Sequence, residues 1–499
     1  MLRVLRCFSR LAAGLAVALA PAAALAVKIP IPGVSQAEGD IPVNGVDAIA
    51  ISPDGVTIAF VANLQPGLET DRLYTTTLAG GVINQVATSS EVDDIPAFTP
   101  DGQTIVYVDS DGGVDKVHRA PTSGGVGTVV NDLVVSFGFR LGSNGQTVVA
   151  LTRDGVDDVL RSFPLAGGSV TTLSTVNGQG DADTETFNLS PDGSTVYFAT
   201  DNALDSANET ALFYVPVAGG VPTSIPLTIP ADRLSNFDID TVAFDGTNVV
   251  FKADYSVNGE NRLLRLPLSG GMPTEIVVDD FPSGSDIDDF VISPDGKTIA
   301  FTADLETIGV FEVFVVPIAG GEAIKINNEF TAEAIDLDIT GDGVPDISDG
   351  VIDSDVLREP LGRSLVWTPD SRQVLYLADG EVNEAYEIYL VDNPLYEAIP
   401  GDYNADGLVD AADYTVWRDT LDSTTDLRAD GDGNEVVDAG DYTLWSQNYG
   451  GPNAAAASAS LASAPEPTTL AILLIAAGAT ATRRSQSGNQ VESLHRDRS

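Results

Sequence analysis

The chain has 499 residues, 43% of them apolar, and carries 73 acidic against 25 basic side chains, a formal net charge of −48. Such a charge repels nucleic acid and anionic lipid, so neither is an expected partner. The apolar share and the 48 glycines suit a large core with many turns, and most of the carboxylates are expected to be solvated surface residues.

The N-terminal segment 1–26 has the pattern of a secretory signal peptide. Arg3, Arg6 and Arg10 precede an apolar run that ends in Ala24-Leu25-Ala26, a small-x-small cleavage site. We expect cleavage after Ala26, which also removes Cys7, the only cysteine of the chain. The mature protein then has no disulfide, and packed sheets and bound metal are expected to stabilise it instead.

A short pattern, ISPDGVTIAF in its first copy (51–60), recurs along residues 46–394. Each copy reads as a strand, a tight turn and a second, alternating strand, and an Asp-Gly or Asn-Gly tip supplies the positive φ angles of a hairpin. The acidic residue at the tip is therefore predicted to form the turn and not to catalyse a reaction. The turn residue recurs at Gly55, Gly102, Gly145, Gly193, Gly246, Gly296 and Ser371.

A Gly-Gly pair follows the third strand in six copies, and one more short apolar stretch follows each pair. Four strands per unit and a period in the forties are typical of propeller blades, whereas solenoid repeats are usually shorter. We predict an all-β fold, a seven-bladed β-propeller over residues 27–396. The seventh unit, 365–393, has three strands, and residues 27–34 are its predicted fourth strand, which closes the ring from both chain ends.

The S-P-D-G turn, the following I-A-F, the L-Y-x-x-x-L strand and the Gly-Gly pair resemble TolB-type propeller repeats. The resemblance implies a binding surface or scaffold, sometimes found beside a serine-peptidase domain. This sequence has no Gly-x-Ser-x-Gly elbow and only two histidines, His118 and His495, so no Ser-His-Asp triad is predicted. His118 is expected to be a partly buried strand residue.

An acidic insert at 336–352 lengthens the interval before the last turn residue. Residues 338–349, DITGDGVPDISD, match the oxygen-ligand spacing of an EF-hand-type calcium loop. The alternative is an acidic loop without metal. The predicted ligands are the side chains of Asp338, Thr340, Asp342, Asp346 and Asp349 and the carbonyl oxygen of Val344.

Residues 402–449 hold the strongest chemical signal, two twelve-residue loops whose starts are 28 residues apart. A helical stretch follows each loop and carries Trp417 or Trp445 at the matched position. Oxygen donors at positions 1, 3, 5, 7, 9 and 12 are the calcium ligands of such loops. The predicted ligands are Asp402, Asn404, Asp406, Asp410 and Asp413 with the carbonyl oxygen of Leu408, and Asp430, Asp432, Asn434, Asp438 and Asp441 with the carbonyl oxygen of Val436.

The pair of loops resembles a type I dockerin over residues 400–450. The resemblance implies two loop–helix repeats packed around two calcium ions (Ca²⁺), and a cohesin-like protein as partner. Calcium binding should be coupled to folding, because this segment has many carboxylates and few apolar residues. Position 6 of the second loop is Glu435 and not glycine, so left-handed strain of about 1 kcal/mol is expected there.

Small residues dominate the predicted linker 451–464. Pro465-Glu466-Pro467 then opens an apolar run that ends in Arg483-Arg484, and residues 485–499 form a polar tail. Segment 465–484 resembles a PEP-CTERM sorting signal, which implies exosortase-type sorting machinery and a surface or matrix location. A membrane tail anchor is the alternative.

These features predict a secreted, surface-associated propeller that binds or scaffolds and is attached by a calcium-dependent module. One alternative is an enzyme that acts on extracellular polysaccharide, since some propellers are glycosidases with paired carboxylates. A purely structural matrix protein is another. The candidate acid pairs are interpreted more simply as loop residues before a blade's first strand; they are Asp93-Asp94, Asp157-Asp158 and Asp288-Asp289.

Overall fold

The computed structural model forms two compact units, Met1–Tyr396 and Glu397–Ser499. Neither of the helices found within the described ranges has the length and hydropathy that crossing a membrane requires. The structure describes residues 26–31, 45–64, 70–86, 92, 96–110, 113–154, 157–174, 184–201, 210–228, 239–257, 260–278, 282–327, 364–378, 386–396, 399–404 and 408–450.

The described strands of the first unit form seven antiparallel sheets of four strands each. Six sheets take four consecutive strands, beginning with β2–β5 and ending with β22–β25, and the seventh has the order β26, β27, β28, β1. In chain order the strands are β1 (Val27–Lys28), β2 (Val46–Ile51), β3 (Thr57–Ala62), β4 (Arg72–Thr77), β5 (Asn84–Gln85), β6 (Ala97–Phe98), β7 (Thr104–Ser110), β8 (Asp115–Pro121), β9 (Thr128–Val129), β10 (Val135–Leu141), β11 (Thr147–Asp154), β12 (Asp157–Pro164), β13 (Thr171–Thr172), β14 (Thr184–Leu189), β15 (Thr195–Asp201), β16 (Thr210–Pro216), β17 (Thr223–Ile225), β18 (Ile239–Phe244), β19 (Asn248–Val257), β20 (Glu260–Pro267), β21 (Thr274–Glu275), β22 (Ile287–Ile292), β23 (Thr298–Thr307), β24 (Val310–Pro317), β25 (Ile324–Lys325), β26 (Leu365–Trp367), β27 (Gln373–Ala378) and β28 (Glu387–Asp392).

The predicted fourth strand of the last sheet is confirmed, although it is shorter than expected. β1 pairs antiparallel with β28, so that Lys28 lies opposite Tyr389. Lys28 Nζ donates to Glu387 Oε1 at 2.5 Å, and the Tyr389 hydroxyl donates to Glu387 Oε2 at 2.8 Å. Because Glu387 is 1% exposed, this closure places a compensated carboxylate inside the sheet.

Seven buried apolar clusters hold the described sheets together, and every cluster draws on two neighbouring sheets. The last and first sheets share one of them, in which Leu375 and Leu377 pack with Ile49 and Ile58. The sheets therefore follow one another around a closed ring, and the predicted seven-bladed β-propeller is confirmed. Blade 1 contains β2–β5, the next five blades follow in chain order, and blade 7 contains β26–β28 and β1.

The acidic turn residues build hairpins, as the sequence predicted. In blade 1, the Ser52 hydroxyl donates to Asp54 Oδ1 at 2.5 Å, and the backbone N–H of Val56 donates to the same oxygen at 3.1 Å. Gly55 has φ +72°, the left-handed conformation that the turn requires. The hydrogen bond from Ser52, and then that from Val56, lower the pKa of Asp54.

The Gly-Gly pairs lie where the outer part of one blade meets the next blade. Gly270 has φ +78°, and a Cβ atom at this position would overlap the carbonyl oxygen of Pro226 in the preceding blade. The N–H of Gly271 donates to the same oxygen at 2.8 Å. At the ring closure, a Cβ on Gly80 would lie 2.7 Å from the carbonyl oxygen of Pro30. Glycine is thus needed because two backbones approach closely.

The second unit contains two helices in its described part, α1 (Ala411–Thr420) and α2 (Ala439–Asn448). Asp410 is the N-cap of α1 and Asp438 is the N-cap of α2. Its small core contains Tyr403, Val409, Ala429, Val437 and Trp445.

Candidate functional site

Each acidic loop of the second unit ends in a capping box that starts a helix. Asp410 Oδ1 accepts from the N–H of Ala412 at 2.7 Å, and Asp413 Oδ2 accepts from the N–H of Asp410 at 2.8 Å. Asp438 and Asp441 repeat this arrangement at α2. The carboxylates at loop positions 9 and 12 therefore fix the direction in which each loop enters its helix.

The carboxylate at position 12 also organises the start of its own loop. Asp413 Oδ1 accepts from the N–H groups of Tyr403 and Asn404 at 2.7 and 3.0 Å. Asp441 Oδ1 accepts from those of Gly431 and Asp432 at 2.8 and 3.2 Å. Both carboxylates are 0% exposed, so these bonds compensate the loss of hydration. Each loop folds around one buried aspartate.

The two repeats exchange contacts reciprocally. Trp417 Nε1 donates to the carbonyl oxygen of Asp438, and Trp445 Nε1 donates to that of Asp410, both at 2.7 Å. The ring of Tyr442 lies 5.0 Å from the Trp417 ring and 5.4 Å from the Trp445 ring. The tryptophans at matched sequence positions thus join each helix to the opposite loop.

The second loop has the geometry of a cation site. Asp430, Asp432 and Asp441 each offer a carboxylate oxygen, and these three atoms lie within 4.8 Å of one another. Two oxygens that bind one calcium ion at about 2.3–2.6 Å can be at most about 5.2 Å apart, so the spacing of these three oxygens meets that condition. Asn434 Oδ1 accepts from the N–H of Val436 at 2.9 Å, which keeps the middle of the loop turned.

The clustered aspartates of the unit affect the hydroxyl group of Tyr403. Its hydroxyl donates to the carbonyl oxygen of Asp441 at 2.6 Å. Burial, followed by the negative charges of Asp441, Asp413 and further aspartates of the second loop, raises the pKa of Tyr403 above its usual range. The phenol therefore stays neutral and acts as a donor among the carboxylates.

The expected strain at Glu435 is confirmed, because its φ angle is +68°. In the first loop Asp402 is buried and Asn404 is exposed, whereas Asp406 lies outside the described residues. The side chain of Leu408 is exposed. The predicted calcium ligands of the insert, Asp338, Thr340, Asp342, Val344, Asp346 and Asp349, and the predicted sorting segment 465–484 also lie outside them.

The propeller contains a cavity of about 350 Å³ that the sequence did not indicate. First strands of four consecutive blades line it, and they contribute Arg140, Asn188, Thr241 and Val291. The hairpin of blade 5, with Phe244, completes the wall. Blades 3 and 5 carry the two weakest copies of the repeat, at 140–151 and 242–251. Their departure from the repeat pattern is the sequence signal that could have indicated the cavity.

The interpretation of two acid pairs as loop residues was wrong. Asp157 and Asp158 begin β12, where Asp158 pairs with Arg153 across the hairpin at 3.2 Å. Asp288 and Asp289 lie inside β22. Within these strands, Arg153 satisfies Asp158 and the N–H of Phe290 satisfies Asp289. The third pair, Asp93-Asp94, lies outside the described residues.

Asp289, in β22, has a strongly perturbed carboxyl group. Burial, and next the charge of Asp288, raise its pKa to about 7, against the opposing effect of Lys252 and Arg140. Its Oδ1 atom accepts from the N–H of Phe290 at 2.7 Å. His118 lies in β8, is 6% exposed and has its Nδ1 atom 4.0 Å from Asp109 Oδ2. It is more deeply buried than predicted.

The fold defines the class of this protein, a seven-bladed β-propeller with a small loop–helix unit. No family model matches the chain. It is similar to an oligogalacturonate lyase from Vibrio parahaemolyticus, with 13% identity, a TM-score of 0.46, and coverage of 72% of this chain and 93% of that one. It is also similar to the β-propeller domain of the Trilobed protease from Pyrococcus furiosus, with 10% identity, a TM-score of 0.49 and coverage of 70% and 96%.

A third similar structure is TolB from Acinetobacter baumannii, with 15% identity, a TM-score of 0.36 and coverage of 60% of this chain and 69% of that one. At these levels of identity, similarity concerns the fold and does not extend to activity.

Proposed function

We propose that this chain is an exported β-propeller that binds or scaffolds, and that a calcium-dependent, dockerin-like module attaches it to a cohesin-like protein. The observation that carries the proposal is the convergence of Asp430, Asp432 and Asp441 within 4.8 Å in one of two reciprocally joined loop–helix repeats. Two such repeats with matched tryptophans support a binding module better than two unrelated acidic turns.

Calcium is the cofactor that this donor set favours. All the side-chain donors are carboxylate or amide oxygens, which suit a hard cation and not a soft one. Closely spaced carboxylates repel one another unless a cation lies between them. The core of the module is small, so calcium binding should supply part of its folding free energy.

The attachment surface should include the outer faces of the two helices. Tyr414 and Tyr442, which follow the loops directly, are half-buried in the aromatic cluster, whereas the adjacent Thr415 and Thr443 are exposed. The tyrosines therefore serve packing, and the threonines are available to a partner. We expect a cohesin-like protein to contact this surface only when calcium holds both helices in place.

The location outside the cytoplasm rests on the sequence pattern alone. The signal-peptide pattern of 1–26 predicts export, and the resemblance of 465–484 to a PEP-CTERM signal predicts handling by exosortase-type machinery. The propeller would then face extracellular polysaccharide and other surface proteins.

A glycosidase-type enzyme would need two carboxylates about 5–9 Å apart at the ring. Among the described residues that line the cavity, Asp245 is the only acid. Its Oδ1 atom accepts from the N–H groups of Thr247 and Asn248 at 2.7 and 2.6 Å, within its own turn. This arrangement supports a binding role over hydrolysis.

Calcium titration of the full mature chain by calorimetry tests the metal sites. We expect Asp402→Asn and Asp430→Asn each to remove one calcium site of the module. The control is Asp419→Asn, because Asp419 is exposed and pairs with its neighbour Arg418. An absence of binding at millimolar calcium, or an equal loss in the control, would contradict the proposal.

The partner is tested separately. The mature chain is used as bait on extracellular material of the producing cell, with calcium and with chelator. A partner retained only with calcium, and lost with Asp430→Asn, supports attachment. If capture is the same with chelator, a purely structural matrix role is favoured instead.

A further inference from the structure

The cavity of the propeller lies where one hairpin departs from the repeat. In blade 6 the turn is closed by the bond from the N–H of Ser293 to the carbonyl oxygen of Thr298, with four residues between them. In blade 5 the equivalent bond joins Asp245 and Asn248, with two residues between them. The turn of blade 5 is therefore two residues shorter, and it lacks the Ser-Pro step.

The short turn leaves the tip of blade 5 less closely packed than the turns of blades 4 and 6, although the tip of blade 2 is equally open at Gly102. A Cβ on Gly193 would lie 2.6 Å from Ser143 of the preceding blade, and the N–H of Asp295 donates to the Ser371 hydroxyl of the following blade. A Cβ on Gly246, at the tip of blade 5, would have no atom within 4 Å. We call this gap the notch; Pro191 of blade 4 and Pro294 of blade 6 line it.

One wall of the notch is apolar and flat. Phe244 belongs to the lining, and its ring stacks on Tyr197 with 4.3 Å between ring centroids and 14° between ring planes. This contact fixes the Phe244 ring, so a ligand would meet a surface that does not need to be ordered on binding. A volume of about 350 Å³ suits a ligand with one or two rings.

The polar groups of the notch favour an anion. Arg140 is its only cationic lining residue within the described ranges; its Nη1 atom donates to the carbonyl oxygen of Phe139 at 3.1 Å, and a guanidinium, with five N–H donors, matches a carboxylate. Asn188 adds an amide group, whose Oδ1 atom accepts from the N–H of Leu189 at 2.9 Å. Asp245 is the one acid among the described lining residues, and its charge repels a dianion such as phosphate more strongly than a single carboxylate.

We propose that the notch binds a small organic ligand with a single carboxylate, anchored on Arg140 and Asn188 and packed on Phe244. The proposal rests on the binding role proposed above for the propeller and names the chemistry of its ligand. The carboxylate could come from a sugar acid or from the C-terminus of a peptide. The net charge of −48 repels anions from the protein as a whole. The positive charge of Arg140 attracts an anion locally at the notch.

The test is calorimetry of the full mature chain with two matched pairs of probes. Glucuronate is compared with glucose, and N-acetylphenylalanine with its neutral amide. We expect at least one acid to bind and its neutral partner to bind at least about tenfold more weakly, since a charge-assisted pair is lost. The pair that responds identifies the source of the carboxylate.

Two variants and one control locate the site. Arg140→Gln should lower the affinity for the acid at least about tenfold, and Asn188→Leu should lower it by a smaller factor. Arg153→Gln is the control, because Arg153 belongs to the same blade but pairs with Asp158 outside the notch, and it should bind like the parent. Unchanged melting temperatures confirm that the variants are folded.

Each of three results would overturn the proposal. In the first, neither acid binds at about 10 mM of probe, a concentration that detects weak small-ligand binding. In the second, a neutral probe binds as well as its acid, and in the third, Arg140→Gln binds like the parent. The titrations are repeated with calcium and with chelator. Binding at the notch should be the same in both conditions. The proposal on the notch and the proposal on calcium-dependent attachment can therefore fail independently of each other.

Discussion

The two units of this protein differ in which groups dominate their interiors. The propeller buries seven apolar clusters between its blades, and aromatic rings such as Phe60, Phe251 and Phe301 are completely enclosed. The loop–helix unit buries five apolar residues together with the carboxylates of Asp402, Asp413 and Asp441. The propeller core is mainly apolar with a number of compensated charges such as Glu387, whereas the loops of the smaller unit fold around buried carboxylates.

The difference shows two ways to hold a chain together. Burying apolar surface contributes about 25 cal/mol per Å², so each added blade stabilises its neighbours. A buried carboxylate costs free energy unless hydrogen bonds or a cation compensate it. Asp413 and Asp441 each accept three backbone N–H bonds, which order a loop but place negative charges close together. With the proposed calcium binding, the second strategy would make stability depend on a ligand.

Chelation should separate the two units, and this is the largest expected effect. With excess chelator we expect the loop–helix unit to lose its near-UV circular dichroism while the propeller keeps its thermal transition. The reason is that, within the described residues, the converging carboxylates of the proposed calcium module lie in the loop–helix unit. Retention of the signal from Trp417 and Trp445 in chelator, or loss of the propeller transition, would break the comparison.

Asp289, one of the buried titratable groups of the propeller, should produce a pH dependence. Asp289 has a folded-state pKa of about 7, above its unfolded value, so the folded chain retains a proton that the unfolded chain releases. Its contribution to stability is therefore present at low pH and is lost as pH rises from about 4 to about 7, on the order of a few kcal/mol.

Asp289→Asn should flatten that part of the stability curve, measured by urea unfolding at several pH values. Asp132→Asn is the control, because Asp132 is an exposed carboxylate whose side chain is 96% accessible. The free energy of unfolding is determined to within about 1 kcal/mol at each pH. If this free energy changes equally between pH 4 and 7 in Asp289→Asn and in the parent, the assigned burial effect is wrong.

A pair of glycine substitutions tests whether the blades are held by close backbone fit. Gly102 and Gly145 occupy the same turn position with φ +65° and +64°. A Cβ on Gly145 would overlap Pro100 of the preceding blade, whereas a Cβ on Gly102 would meet open space. Both alanine variants should lose about 1–2 kcal/mol to left-handed strain, and Gly145→Ala should lose more. Equal melting temperatures would show that the contact adds nothing.

The smallest expected effect concerns the strained backbone of Glu435 in the second loop. Glu435→Gly should stabilise the loop–helix unit by about 1 kcal/mol and tighten calcium binding at the second loop, because it removes strain at φ +68°. Glu435→Ala is the control, since it removes the charge but keeps the Cβ atom. If the alanine variant gains as much, the effect is electrostatic.

The repeat determined more of the fold than is usual for a chain of this length. The seven turn positions and six Gly-Gly pairs predicted blade number, strand order and closure, because turn geometry is local and its residue requirements are strict. The spacing of oxygen donors likewise predicted both acidic loops. Asp430, Asp432 and Asp441 do converge, and calcium itself stays a prediction.

Other features depended on contacts between segments far apart in the chain. The sequence showed that Gly270 recurs in a pattern, but only the structure showed that it makes room for the carbonyl oxygen of Pro226. The notch was missed, because it arises from one shortened turn placed between the prolines of two neighbouring blades.

Local pattern decided which segments become strands, turns and acidic loops, since those choices depend on the residues within a few positions. Tertiary structure decided which side chains become buried. Asp289 looked like a loop residue in the sequence and became a strand residue with a perturbed pKa, because its neighbours across the sheet remove it from water. The environment of a charge is a property of the packed molecule, and no local pattern contains it.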